Sequence, residues 1–284
     1  MPALGLGVFH SEPEQTLAAV RSAVADGYRL IDTAAAYMNE QQVGEGVRSS
    51  GISREEIFVT TKLWISDYGH DQTLHAFDRS LRKLGFDFID LYLLHWPVPT
   101  DFETTVNSYK AAMKLLAEGR ARAIGVCNFR AYDLDRLVAQ TGHTPAVNQV
   151  ELHPFFNQPQ LRKADDKHGI ITQAWSPIGG VKRYGAKASK EGVQDPLSHP
   201  TVVLLAKKYQ KTPAQIILRW HIELGTSPIP KSVRPERIAE NIDIFDFALT
   251  SEEIQAINAL DTGERGGPDP EQVNPQTFSI TIQD

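Results

Sequence analysis

Eight short apolar runs, rich in β-branched and aromatic residues, alternate with longer amphipathic stretches along almost the whole chain. The runs are LGLGVF, YRLIDTA, IFVTTKL, FIDLYLLHW, RAIGVCNF, PAVNQVE, GIITQAWSP and TSPIPK. Between them, helical patterns are predicted over 12–26, 39–50, 70–84, 103–119, 130–140, 158–168 and, after a loop, 199–210. Thr212 and Pro213 suit the N-cap and first turn of one more helix. Strands alternating with helices pair in parallel, and eight such units closing on themselves make an α/β (β/α)8 TIM barrel. A doubly wound open sheet is the rival topology. The 284 residues, 41% of them hydrophobic, suffice for one barrel domain spanning 1–284. No internal repeat or linker interrupts the pattern, and only the Gly/Pro-rich tail from Gly263 onward reads as loosely structured.

A formal net charge of −6, with both signs mixed along the chain, provides no basic field to draw nucleic acid or an anionic membrane. The single cysteine, Cys127, has no partner for an intrachain disulfide and speaks against a thiolate zinc site. The nine histidines are scattered, with no H-E-x-x-H or paired Cys/His spacing, so no metal is expected. The opening MPALGLGVFHSEPE lacks a basic-then-apolar signal pattern, and FIDLYLLHW, broken by Asp90, falls short of the about 20 apolar residues a bilayer span needs. A cytoplasmic monomer acting on a small molecule is expected.

In a (β/α)8 barrel the variable chemistry sits at the C-terminal ends of the strands. The second run ends at Asp32, the third at Lys62 and the fourth at His95, so three ionisable groups leave three consecutive strands at the same end. The small-residue loop TAAAY carries Tyr37 toward them. Singly, each has a structural reading: Asp32 as a helix cap, Lys62 reaching for water, His95 as a core histidine, Tyr37 as half-buried packing. Together they make an acid. An ion pair of Lys62 with Asp32 beside a phenol is expected to lower the pKa of Tyr37, and a neutral His95 donates a hydrogen bond that orients a carbonyl oxygen.

A proton donor aimed at a carbonyl, with no nucleophile beside it, calls for a hydride donor. GEGVRS at 44–49 has G-x-G but ends in Ser49 and lies within a helical pattern, so it reads as helix rather than as a dinucleotide-binding turn. IPKSVRPERIAEN, by contrast, gathers Lys231, Ser232, Arg234 and Arg237 around Pro235, and a helix start dressed with cations binds phosphate; a solvated helix face is the alternative. AWSPIGG offers Trp175 as a stacking surface for a nicotinamide, or as plain core, followed by Ser176 and two glycines. Asn128 and Gln149 carry amides that match a carboxamide, or serve ordinary loop hydrogen bonds. Trp64 and Trp96, close after Lys62 and His95, wall an apolar substrate pocket that the C-terminal tail closes.

The motifs GYRLIDTAAAYMNEQQVG, VTTKLW, LYLLHWPVP, IGVCNF, NQVELHP, AWSPIG and IPKSVRPERIAEN resemble those of the aldo-keto reductases, and within them the bacterial 2,5-diketo-D-gluconate reductases, from about residue 2 to about residue 270. The resemblance implies a barrel that binds extended NADPH without a Rossmann fold and reduces aldehydes, ketones or small dicarbonyls. It implies that Tyr37 is the proton donor, that Lys62 and Asp32 tune it, and that His95 orients the carbonyl. It assigns Asn128, Gln149 and Trp175 to the nicotinamide, and Ser176, Ile178 and Gly180 to the pyrophosphate. Lys231, Ser232, Val233 and Arg237 then surround the 2′-phosphate, with Glu240 and Asn241 near the adenine. Three departures stand out: Cys127 where the family has serine, Met1-Pro2 directly before the first strand where a β-hairpin is usual, and a longer tail after GPDP. A Schiff-base aldolase using Lys62, and a regulatory nucleotide-binding protein on this scaffold, are the readings from other classes.

Overall fold

The computed structural model describes residues 1–180 and 195–283. All eight strands form: β1 (Leu6–Gly7), β2 (Leu30–Asp32), β3 (Phe58–Leu63), β4 (Leu91–Leu94), β5 (Ile124–Cys127), β6 (Val147–Glu151), β7 (Ile171–Trp175) and β8 (Ser227–Pro228). They pair in parallel in sequential order, as in a barrel and not as in a doubly wound sheet, where the order reverses. The seam closes through Gly5 N–H to Pro228 O and Gly7 N–H to Pro230 O, each 3.0 Å, with a parallel bridge from Gly7 to Lys231. No strand precedes β1 among the described residues.

The helices are α1 (Pro13–Ala25), α2 (Glu40–Arg48), α3 (His70–Leu84), α4 (Phe102–Ala117), α5 (Ala131–Thr141), α6 (Pro159–His168), α7 (Pro200–Tyr209), α8 (Pro213–Glu223), α9 (Pro235–Ile242) and α10 (Ser251–Asn258). Part of the loop expected between β7 and α7, residues 181–194, lies outside the described residues. α8 opens where the sequence placed it: Thr212 Oγ1 accepts from Gln215 N–H at 3.3 Å and the Gln215 side chain accepts from Thr212 N–H at 2.9 Å. α10 was not anticipated, although Thr250 and Glu253 form the same reciprocal cap. No helix among the described residues is long and apolar enough to cross a membrane.

Asp90, which interrupts the fourth apolar run, is buried just ahead of β4 and accepts from Arg54 at 2.6 Å, Arg122 at 3.0 Å and Val59 N–H at 2.9 Å. It ties β3 to β4 at the end opposite the ionisable residues. The tail corrects one expectation. It has no helix or strand beyond α10, yet Val273 and Ile282 are buried against Ala35, Trp64, Ile65, Trp96 and Val98. Trp64 Nε1 donates to Ile280 O at 2.9 Å and Arg79 to Ile282 O at 3.4 Å. Glycine and proline suppress regular structure here, but the apolar residues between them still leave water.

GEGVRS falls in α2 and at its end, as read, and its glycines serve close packing. A Cβ at Gly46 would sit 2.7 Å from Val20 Cγ1 on α1, and one at Gly44 would sit 1.9 Å from the carbonyl oxygen of Leu84 on α3. Backbone cannot yield as a side chain does. Gly44→Ala is therefore expected to destabilise the fold by about 1–3 kcal/mol, the usual range for overpacking. Equilibrium urea unfolding tests this, and an unchanged midpoint would contradict the α2–α3 contact.

Candidate active site

The barrel brings the four ionisable residues to one place. Asp32 is the last residue of β2, Lys62 lies in β3, His95 directly follows β4, and Tyr37 ends a 3-10 turn at Ala35–Tyr37. Asn39 holds that turn by accepting from Thr33 Oγ1 at 2.7 Å and donating to Val8 O at 2.9 Å. Lys62 is fully buried and its ammonium donates three times: to Asp32 Oδ2 at 2.6 Å, Thr33 O at 2.8 Å and the Tyr37 hydroxyl at 3.3 Å. Those are all the protons an ammonium has. Asp32 Oδ1 accepts from Gln149 Nε2 at 2.7 Å, so both of its oxygens are engaged.

The charges follow from burial and pairing. Burial pushes the Asp32 carboxyl up, while Lys62 and Gln149 pull it down. For Lys62 burial is the largest single influence and works against the charge, but Asp32 and the other neighbours together outweigh it and hold the ammonium above its ordinary range. A lysine held charged is a poor Schiff-base nucleophile, which disfavours the aldolase reading. Tyr37 departs from expectation. Burial pushes its phenol up to about 12, and the downward pull of Lys62 does not cancel the loss of water. The phenol accordingly keeps its proton at neutral pH. His95 is held well below 6.5, first by burial and then by repulsion from Lys62, so its ring is neutral as anticipated. Its Nδ1 is buried without a partner.

Aromatic rings surround this centre. The His95 ring lies 5.8 Å from that of Tyr37, 5.1 Å from Trp64 and 6.3 Å from Trp96, and Phe278 of the tail lies 6.3 Å from each tryptophan. Phe9, two residues beyond β1 and 46% exposed, packs its ring 5.0 Å from Tyr37. The sequence reading missed both phenylalanines; the position of Phe9 just past a strand end was the available signal.

The expected cofactor residues divide into four groups. Asn128 and Trp175 join the centre: Asn128 Nδ2 donates to His95 O at 2.9 Å, and its Oδ1 accepts from Trp175 Nε1 at 2.9 Å. Beyond β7 the chain turns at Ser176, φ 49°, and at Gly180, φ 96°, where an added Cβ would meet no atom of the described residues within 4 Å; half-buried Ile178 packs on the core. Lys231 and Asp32 are both paired with Gly7, from opposite sides, which sets the KSVRPER segment beside β1, one strand away from β2. Ser232 Oγ accepts from Arg234 N–H at 3.1 Å ahead of α9. Val233 is half-buried there, Asn241 is buried, and Arg237 is exposed with no ion pair to any described residue.

Two residues are already engaged. Gln149 Nε2 donates to Asp32 and, at 2.7 Å, to Gln173, so it supports the ion pair. Glu240 Oε1 accepts from Thr212 Oγ1 at 2.7 Å. Cys127 is buried in an apolar cluster with Leu91, Leu93 and Val147, and burial raises its thiol far above the ordinary range.

The family model described as "Aldo/keto reductase family" matches residues 3–262. This chain belongs to the aldo/keto reductase family. Among similar members, a morphine 6-dehydrogenase from Pseudomonas putida is 53% identical over 98% of this chain and 94% of its own length. The methylglyoxal reductase DkgA of Escherichia coli K12 is 46% identical over 96% and 94%. The crystal structure of a Bombyx mori aldo-keto reductase in complex with NADP superposes with a TM-score of 0.87 at 38% identity, over 94% of this chain and 92% of that one.

In this reductase, the neutral, buried His95 leaves a signature in stability. The unfolded imidazole takes up a proton near 6.5 while the folded one does not, so this contribution is complete above about pH 6.5 and is lost as pH falls. Its slope reaches about 1.4 kcal/mol for each pH unit. His95→Gln is expected to flatten the rise of unfolding free energy between about pH 5 and 6 by up to that amount. Parallel pH dependences for the two proteins would place His95 in water.

Proposed function

We propose that this reductase converts aldehydes, ketones or small dicarbonyls to alcohols, with Tyr37 as the proton donor and His95 as the group that orients the carbonyl. It is an NADPH-dependent oxidoreductase of the aldo/keto reductase family. The observation that carries the residue assignment is the Lys62 ammonium, whose three donors reach Asp32, the Thr33 carbonyl and the Tyr37 hydroxyl.

The residues present fit the cofactor. Trp175 offers a partly exposed indole fixed by Asn128, and among the described residues nothing would meet a Cβ at Gly180 and none forms an ion pair with Arg237 beside the start of α9. Bound NADPH supplies the hydride. The protein supplies the rest: His95 holds the carbonyl oxygen by a hydrogen bond from its neutral ring, and Tyr37 gives that oxygen its proton. Lys62, 3.3 Å from the phenol, stabilises the phenolate left behind, and Asp32 keeps Lys62 charged. Phe9, Trp64, Trp96 and Phe278 form an apolar wall that excludes water from the exchange. Lys231, Ser232 and Arg237 are assigned to the 2′-phosphate. A cytoplasmic monomer completes the reading, supported by the acidic, charge-mixed composition and single cysteine.

NADPH oxidation with a panel of aldehydes and ketones that includes methylglyoxal, and the reverse reaction with morphine, tests the activity. Tyr37→Phe is expected to lower kcat by roughly 10²–10⁴-fold, the usual reach of general-acid catalysis, with NADPH affinity intact. More than about a tenth of wild-type kcat would overturn the assignment. Arg237→Ala is expected to weaken NADPH by about one to two orders of magnitude, as the loss of one charge-assisted hydrogen bond does, and to spare NADH. Equal losses for both cofactors would exclude Arg237 from the 2′-phosphate site.

A further inference from the structure

The tail enters the site through a carboxylate that the proposed reaction does not use. Glu151, the last residue of β6, is fully buried and is the register partner of Trp175 on β7. Its Oε1 accepts from Gly266 N–H at 2.8 Å and lies 3.1 Å from His153 Nε2; its Oε2 accepts from Gly267 N–H at 3.0 Å and lies 3.7 Å from Arg265 Nη1. Two consecutive backbone amides thus grip one carboxylate at the root of the tail, a small anion nest whose anion is the protein's own.

Gly267 is seated between two side chains. A Cβ built there would lie 2.5 Å from Trp175 Cη2 and 3.1 Å from Glu151 Oε2, so only glycine lets the tail backbone press on the indole. The other end of the same indole is fixed by Nε1 donating to Asn128 Oδ1. Trp175 is therefore held at its pyrrole side by the barrel and at its benzene side by the tail, and the tail is held there by Glu151.

We propose that Glu151 is a positioning residue: by binding the Gly266 and Gly267 amides it clamps Trp175 in the orientation that receives the nicotinamide, and it roots the tail that carries Phe278 to the substrate wall. The inference rests on the assignment of Trp175 to the nicotinamide. Because the clamp acts on the half of the cofactor common to NADPH and NADH, its loss weakens both alike, unlike the loss of Arg237.

The test compares the full-length wild type with Glu151→Gln, which replaces one acceptor oxygen by a donor facing an N–H, and with Gly267→Ala, which keeps the carboxylate but drives a methyl group into the indole. Titration of tryptophan fluorescence is expected to show the dissociation constants of NADPH and NADH both rising about tenfold, the equivalent of about 1.4 kcal/mol, in each variant. KM for the carbonyl should rise more than kcat falls. Amide exchange at residues 266 and 267 should quicken in Glu151→Gln. A variant that melts earlier yet binds both cofactors as the wild type does would reduce Glu151 to a structural tie and overturn the proposal. If Glu151→Gln fails to fold, Gly267→Ala alone decides between these outcomes. If the wild type binds neither cofactor, the functional reading fails instead. The clamp is then judged without cofactor, and unchanged exchange at 266 and 267 in Glu151→Gln, or an unchanged Trp175 environment in Gly267→Ala, would overturn it.

Discussion

A lysine ammonium that never meets water is the constraint around which this barrel's mouth is arranged. Taking such a charge out of solvent costs several kcal/mol even after the protein relaxes, and the cost is offset only when every proton finds an acceptor. Lys62 finds them in Asp32, the Thr33 carbonyl and Tyr37. Asp32 needs a second donor in turn and receives it from Gln149, 117 residues away. β2, β3 and β6 are bound into one polar network this way, and no local segment could supply it. A neutral His95, ringed by Tyr37, Trp64 and Trp96, stands beside that network.

Much of this was legible because barrels place chemistry at strand ends. Asp32, Lys62 and His95 each close an apolar run, so their common location followed from strand polarity alone, and Tyr37 followed from a loop too small and apolar to serve as anything but a short bridge. Thr212 with Pro213 announced α8 for an equally local reason. Pairwise chemistry across the barrel was not legible. The bonds of Gln149 to Asp32 and of Glu240 to Thr212 join residues far apart in the chain, and no local pattern announces either.

The phenol of Tyr37 shows why a list of neighbours does not fix a charge state. Its cationic neighbour was correctly placed and pulls in the expected direction, but desolvation pulls harder. The tail shows the corresponding point for packing. Composition from Gly263 onward resembles a free end, whereas four of its apolar or backbone groups, at Val273, Phe278, Ile280 and Ile282, are spent on Trp64, Trp96 and Arg79. Gly44 and Gly46 mimicked a nucleotide motif for a similar reason: glycine marks close approach, and the sequence does not say of what.

The closing seam of the barrel has an asymmetry of its own. Gly5 and Gly7 donate across it to the carbonyls of Pro228 and Pro230, and neither proline has an N–H to give back. At these two positions the lacing runs one way, from glycine to proline. Lys231 sits directly beyond it, paired with Gly7. The KSVRPER segment thus starts at the joint where the ring closes, so whatever holds Lys231 in place also bears on the closure of the barrel.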